Sequence, residues 1–132
     1  MTRLSVKTGK RCEFVDITRR VEEAVIAAGV TDGIVVVYCP HTTAGITINE
    51  NADPSVVNDI TRKTSALIEH DDPGYRHGEG NSDAHIKSSL VGASETVIIE
   101  GGRLLLGTWQ AIYFAEFDGP RTRSVHVKII PG

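Results

Sequence analysis

The clearest amphipathic pattern in the chain covers residues 18–28. Apolar side chains recur there at intervals of three and four residues, and charged side chains occupy the opposite face. This spacing predicts a helix over Thr18–Ala28. Asp16 or Thr18 is suited to cap its start, and Gly29 is suited to close its end.

Two further helices are predicted from their start signals. Asp53 precedes Pro54, and a capping carboxylate followed by proline at the first helical position marks a helix start. The pattern continues to about Ile68. The side chains expected on the inner side of this helix are Val57, Ile60, Thr64 and Leu67. A shorter helix is predicted to start at Ser82, as its cap, and to extend through Leu90.

The remaining apolar segments have the composition of strands. They are Arg11–Ile17, Ile34–Cys39, Gly45–Asn49, Glu95–Glu100, Arg103–Gln110, Ala111–Phe117 and Arg121–Ile130. The unbroken β-branched run at Ile34–Cys39 predicts a strand covered on both faces. Gly101-Gly102 predicts a hairpin. The two segments that follow it could form one long strand bent at Gly107.

These elements amount to about seven strands and three helices, with the helices grouped rather than alternating with strands. The pattern predicts an α+β fold. The chain has 132 residues, 40% of them hydrophobic. That length fits a single domain over residues 1–132.

Charge and composition exclude several classes of protein. A net charge of −3 argues against a dedicated nucleic-acid binder. No apolar run approaches the ~18 residues of a membrane span, and the N-terminal segment has no apolar stretch typical of a signal peptide. Two cysteines are too few for a disulfide framework. We therefore expect a cytoplasmic protein that binds neither nucleic acid nor membrane.

The most suggestive polar segment is the glycine-rich stretch that ends in HGEGNSDAH. His77 and His85 lie eight positions apart and flank Glu79, Asn81 and Asp83. Imidazole is the commonest metal ligand, and carboxylates complete many zinc sites. The spacing matches no compact zinc motif, so a metal site and a solvated surface loop both remain open.

A second polar cluster, PHTTAG, follows the predicted strand Ile34–Cys39. His41 and the neighbouring hydroxyl of Thr43 could bind a phosphate or position a proton. A β-turn with locally bonded threonines is the alternative. Cys39 lies on the same face of an extended chain as His41, but no partner for the imidazole supports a cysteine nucleophile.

Glu50 and Asn51 precede the helix start at Asp53. Because capping already explains Asp53, the other two are candidates for ligands or for groups that support a ligand. The sole tryptophan, Trp109, stands beside Gln110 and suits either a pocket wall or the core.

Arg121 and Arg123 alternate with hydroxyl residues at the start of the last predicted strand. Two guanidinium groups at this spacing could clamp an anion. A solvated edge strand explains the same pattern.

Three blocks of sequence carry a family resemblance: PHTTAGITINENADPSV, YRHGEGNSDAHIKSSLVGAS, and the pattern from Ser94 through Gly101 to GTWQ. They resemble the YjbQ family, sometimes labelled secondary thiamine-phosphate synthase, over nearly the whole chain. The resemblance implies an α+β fold on a mixed, sandwich-like β-sheet. It also implies homotrimers with sites near the subunit interfaces.

The resemblance, together with the polar clusters, assigns roles to individual residues. The expected metal ligands are His41, His77 and His85, which would hold a divalent metal, zinc being favoured and magnesium possible. The expected catalytic residues are Glu79, Gln110, Glu50 and Thr43. The residues expected to contact substrate or phosphate are Asn49, Ser88, Lys87, Arg121 and Arg123.

The implied activity joins a pyrimidine methyl diphosphate to a thiazole phosphate and releases pyrophosphate. The chain has no phosphate-binding loop of the P-loop kind and no acidic pairs typical of a magnesium–diphosphate clamp. We therefore expect an enzyme acting on a phosphorylated small molecule, with thiamine-phosphate synthesis as a possible side activity. The alternatives are a metal-assisted hydrolase or lyase and a non-catalytic trimeric protein that binds a metal or an anion.

Overall fold

A computed structural model describes residues 1–132 as eight strands and three helices. In chain order the elements are β1 (Thr2–Lys7), β2 (Glu13–Asp16), α1 (Thr18–Ala28), β3 (Asp32–Tyr38), β4 (Ala44–Glu50), α2 (Pro54–Leu67), α3 (Ser82–Val91), β5 (Ser94–Glu100), β6 (Arg103–Leu104), β7 (Gln110–Glu116) and β8 (Thr122–Pro131). The predicted α+β class is confirmed. No helix is both long and apolar enough to cross a membrane.

The strands form two sheets, ordered β1-β8-β3-β5-β6 and β2-β7-β4. One apolar core joins them: Val35 and Val125 of the larger sheet share it with Ile46 and Phe114 of the smaller sheet. The sandwich-like arrangement is therefore as expected. All six strand pairings are antiparallel, so the implied mixture of parallel and antiparallel strands is not found.

The helices begin and end close to their predicted limits. Helix α1 has its predicted bounds and ends at Gly29 in the left-handed region, with φ 67°. In front of it, Asp16 accepts hydrogen bonds from both the N–H and the hydroxyl of Thr18. Helix α2 starts with Asp53 accepting from the N–H of Ser55. No residue of α2 is fully buried. Val57, Ile60 and Thr64 are partly buried, as predicted for the inner side of the helix, whereas Leu67 is 70% exposed, so its predicted place on that side was wrong.

Three strand predictions also needed correction. Strand β1 was not predicted, because only Leu4 and Val6 are apolar within it. Strand β3 buries alternate side chains and leaves Tyr38 exposed, so only one of its faces is fully covered. The segment after Gly101-Gly102 forms the predicted hairpin but stops at Leu104, and β7 then belongs to the other sheet.

Helix α3 packs closely against β4. A Cβ on Gly45 would lie 2.5 Å from the carbonyl oxygen of Gly92, so glycine permits this approach. The Gly92 carbonyl accepts from the N–H of Ile46, and the hydroxyl of Ser88 donates to the carbonyl of Ala44 at 2.8 Å. These contacts hold α3 beside the loop between β3 and β4.

Candidate functional site

A cavity of about 450 Å³ lies between the β3–β4 loop, the segment leading into α3, and the start of β8. Apart from Pro40 its lining is polar. Of the predicted site residues, it contains His41, Thr43, His77, Glu79, His85, Arg121 and Arg123. The lining residues that were not predicted as site residues are Pro40, Thr42, Asn81 and Asp118. We call this space the His–Arg cavity.

Arg123 is fixed in the wall of the cavity and is only 3% exposed. Its Nε donates to the carboxylate of Glu116 at 2.9 Å, and its Nη2 donates to the same carboxylate and to the hydroxyl of Thr43 at 2.9 Å. These bonds occupy two of the three guanidinium nitrogens. They leave Nη1 without a protein partner.

Glu116 is fully buried behind Arg123. Its oxygens also accept from the hydroxyl of Thr8 at 2.8 Å and from the N–H groups of Phe117 and Asp118. Burial alone would raise the pKa of Glu116, but the hydrogen bonds from Arg123 and Thr8 outweigh it and the pKa is lowered. The pair is therefore ionised at neutral pH.

His41 is bound to the backbone of β8. The N–H of Ser124 donates to Nε2 of His41 at 3.0 Å. A backbone N–H can only donate, so Nε2 is unprotonated and the neutral ring carries its proton on Nδ1. Burial, and then the positive charge of Arg123, lower the pKa of His41, so the ring is neutral at pH 7.

His77 and His85 also line the cavity. Their ring centroids lie 5.4 Å apart in an edge-to-face arrangement, and Oε1 of Glu79 is 3.8 Å from Nε2 of His77. No group of three or more histidine, cysteine, aspartate or glutamate side chains is placed to hold a metal ion. The lone pair on Nε2 of His41 is engaged by Ser124. The residues of one chain thus do not fit a three-histidine metal site.

Asn81 was not predicted as a site residue. Its side chain is buried, and its Nδ2 donates to Oδ2 of Asp118 at 2.8 Å, while its Oδ1 has no partner. Asp118 also accepts from Nη2 of Arg121 at 3.1 Å. The hydrogen-bond partner of Asn81 lies 37 positions away, and local sequence cannot reveal such a contact.

Three predicted residues lie away from the cavity. Glu50 pairs with Gln110, and Asn49 with Ala111, at the far end of β4 and β7. Because β4 has seven residues, this end lies about 20 Å from Ala44, beside the cavity. The side-chain oxygen of Gln110 accepts from the N–H of Gly107. Within one chain these residues do not meet the histidines.

Trp109 precedes Gln110 and is 61% exposed. Of the two interpretations left open for the tryptophan, a place in the core is wrong. The side chain also lines none of the His–Arg cavity.

Lys87 and Ser88 support α3 rather than the cavity. Nζ of Lys87 is buried 3.4 Å from the carboxylate of Asp83, and Arg11 donates to that carboxylate through two nitrogens. Ser88 bonds to β4, as described above. Both side chains face the packed interior, so neither lines the cavity.

The thiol of Cys39 is also unsuited to nucleophilic chemistry. Cys39 is buried, and burial raises the pKa of its thiol. Since the thiolate is the nucleophile, this geometry gives the cysteine hypothesis no support.

Comparison with known proteins assigns the family. Residues 2–132 match the model of the family described as UPF0047 protein YjbQ-like. The UPF0047 protein YugU of Bacillus subtilis is 57% identical over 127 residues, which cover 96% of each chain. A UPF0047 protein of Methanocaldococcus jannaschii is 62% identical over 125 residues, covering 95% of this chain and 90% of the relative.

Solved structures support the same family assignment. The crystal structure of an uncharacterised conserved protein of the YjbQ/UPF0047 family from Clostridium acetobutylicum superposes with a TM-score of 0.97 at 57% identity, covering 98% of this chain and 100% of that one. A YbjQ-like protein of unknown function from Sulfolobus solfataricus gives 0.94 at 33% identity, covering 99% and 96%. With the fold, the motifs and the whole-chain match in agreement, the chain belongs to the YjbQ-like UPF0047 family.

Proposed function

We propose that this protein is a cytoplasmic enzyme that acts on a phosphorylated small molecule in the His–Arg cavity. The observation that carries the proposal is the convergence of three histidines and two arginines from separate segments in one polar cavity. A volume of about 450 Å³ suits a small molecule. The two arginines supply the fixed positive charge that a phosphate group requires.

Each wall of the cavity has a proposed role. Arg121 and Nη1 of Arg123 bind the phosphate, and Glu116 keeps Arg123 in place. Thr43 accepts from Arg123, so its own hydrogen is free to donate to the substrate. Glu79, next to His77, exchanges a proton with the reacting group.

We also propose that one divalent cation, zinc in preference to magnesium, binds beside His77 and His85. Two imidazoles in contact are donors that suit zinc, and Glu79 is the nearest carboxylate to His77. A cation here would neutralise negative charge on the substrate. No step is assigned to it, because the third predicted ligand, His41, is bound to Ser124.

We further propose that the enzyme assembles as a homotrimer with its sites near the subunit interfaces. Apolar side chains on the surface support this, since Leu67, Leu90 and Trp109 are each more than 60% exposed. In such an assembly Glu50, Asn49 and Gln110 would serve a neighbouring subunit's cavity.

The reaction proposed first is the transferase step that the family label implies. The test incubates the purified protein with the pyrimidine methyl diphosphate and the thiazole phosphate, with zinc or magnesium, and follows thiamine phosphate by mass spectrometry. Parallel reactions contain a panel of phosphate esters and record release of phosphate.

Arg121→Ala removes a phosphate contact from the cavity wall, and Arg19→Ala, an exposed change on α1, is its control. We expect turnover to fall about tenfold or more in Arg121→Ala alone. Release of phosphate without formation of thiamine phosphate would favour a metal-assisted hydrolase or lyase. Binding of phosphate compounds with no turnover of any of them would contradict the enzyme and favour a binding protein.

A further inference from the structure

We infer that His41 donates a hydrogen bond from Nδ1–H to an oxyanion of the ligand, next to Nη1 of Arg123, and that it is not a metal ligand. This inference rests on the proposed phosphate-containing substrate. It reassigns one of the three expected metal ligands to the anion-binding side of the same cavity.

The hydrogen bond from Ser124 fixes the tautomer of His41. Nε2 accepts at 3.0 Å, so its lone pair is unavailable to a metal and the proton of the neutral ring is on Nδ1. The ring also lies edge-on to the buried Phe114, with centroids 6.4 Å apart at 84°. Backbone and core together therefore hold the imidazole in one orientation.

The lining of the same cavity includes a second residue whose side chain has a donor without a protein partner. Ser124, which holds the ring, follows Arg123 directly in β8. Arg123 donates through Nε and Nη2 to Glu116 and Thr43, and its Nη1 has no acceptor in the protein. Nδ1 of His41 likewise makes no hydrogen bond within the chain, and both residues line the cavity.

Two residues that line one cavity and each have an N–H donor without a protein acceptor match an oxygen that carries negative charge. A phosphoryl oxygen meets both requirements, because it accepts several hydrogen bonds and is attracted by the guanidinium group. A neutral imidazole donates without giving up its proton, as a preorganised donor should where charge develops. The cavity thus divides into an oxyanion side at His41 and Arg123 and a side with metal-ligating groups at His77 and His85.

The test titrates inorganic phosphate into the purified protein by calorimetry and measures its zinc content after loading and dialysis. His41→Leu removes the donor, whereas His41→Asn places an amide N–H near the position of Nδ1. His126→Asn, in β8 but outside the cavity, is the control. We expect His41→Leu to weaken phosphate binding about tenfold or more, with His41→Asn and the control close to wild type. Zinc content should be equal in all four proteins.

Nitrogen-15 NMR of the wild-type histidine rings tests the tautomer without any substitution, so a misfolded variant cannot obscure the result. We expect the Nδ1–H form for His41 and a shift of that nitrogen on adding phosphate. An Nε2–H tautomer, or loss of zinc in His41→Leu, would overturn the inference. If phosphate binds equally well to His41→Leu, the inference fails while the proposed function survives. If the wild-type protein binds no phosphate, both fail.

Discussion

The carboxylate of Glu116 and the guanidinium group of Arg123 form an ion pair that is almost completely shielded from solvent: Glu116 is 0% exposed and Arg123 is 3% exposed. Five donor groups converge on the two carboxylate oxygens, counting Arg123, Thr8 and two backbone N–H groups. The charge of Arg123 is thereby fixed beside the cavity before any ligand arrives.

Glu116→Gln tests the contribution of this pair to stability. It leaves the guanidinium group buried without a counter-charge, so we expect the free energy of unfolding to fall by about 3–5 kcal/mol. Denaturant unfolding measures the loss. Glu23→Gln removes an exposed partner of Arg19 and should cost less than about 1 kcal/mol. Equal effects of the two substitutions would contradict a structural role for the buried pair.

Stability should fall in acid because two buried carboxyl groups are ionised in the fold. Burial opposes ionisation of Asp83, but the hydrogen bonds from Arg11 outweigh it, and its pKa is lowered from an ordinary value of 3.8. The pKa of Glu116 is lowered from 4.5. A carboxyl group whose pKa is lower in the folded protein than in the unfolded chain stabilises the fold. That stabilisation is fully present above the pKa of the unfolded chain and is lost as pH falls through the pKa of the folded protein.

We therefore expect the free energy of unfolding, measured in denaturant at a series of pH values, to decline progressively once pH falls below 4.5. Asp83→Asn should flatten part of this decline. Asp59→Asn, an exposed change on α2, should leave the profile as in wild type. A decline as steep in Asp83→Asn as in wild type would show that Asp83 does not contribute to it.

A second pH effect is expected nearer neutrality. Because the fold lowers the pKa of His41 from 6.5, the unfolded chain takes up a proton there before the native protein does. The stabilisation that neutral His41 contributes is therefore fully present above pH 6.5. It decreases as pH falls from 6.5 towards the lowered pKa of His41 in the folded protein. Unfolding measured from pH 7.5 to 5.5 should show this decrease, and His41→Asn should remove it. An unchanged slope in the variant would assign the effect to another group.

Gly45→Ala tests the close contact between β4 and α3. The added methyl group would overlap the Gly92 carbonyl and must push α3 away, so we expect a loss of about 1–3 kcal/mol in unfolding. Zinc content after loading and dialysis should fall as well, since α3 carries His85. The matched substitution Gly9→Ala meets no atom within 4 Å and should have neither effect. Unchanged stability in Gly45→Ala would mean that α3 adjusts without strain.

The proposed homotrimer predicts a mass in light scattering of three times the 14.3 kDa of one chain. Leu67→Glu would place a charge at an exposed apolar position of α2 and should lower the mass to that of one chain. Asn58→Glu adds the same charge at an exposed polar position and should preserve the assembly. A wild-type mass equal to one chain would contradict the trimer.

Local patterns predicted those parts of the fold that depend on local interactions. Helix α1 was correct at both ends because the amphipathic spacing and Gly29 act within a few residues. The position of Arg123 could also have been predicted: it shares its strand face with Val125 and Val127, which are buried. The carboxylate of Glu116, at the end of the largely apolar β7, indicated a counter-charge for this arginine.

The rest of the site depends on contacts between distant parts of the chain. The bond from Ser124 to His41 joins residues 83 positions apart, and the tautomer of the ring follows from that bond alone. The three histidines were expected together from the sequence motifs, and they do line one cavity. Their different roles follow from partners that no motif contains.

The residues that line the His–Arg cavity are far apart in sequence, so a ligand bound there should raise the melting temperature of the whole molecule. A compound that contacts His41, His85 and Arg121 bridges segments that come together only in the folded chain. Binding to the native state alone raises the melting temperature in proportion to the logarithm of ligand concentration. A thermal-shift screen of phosphorylated metabolites could therefore identify the substrate before any reaction is known.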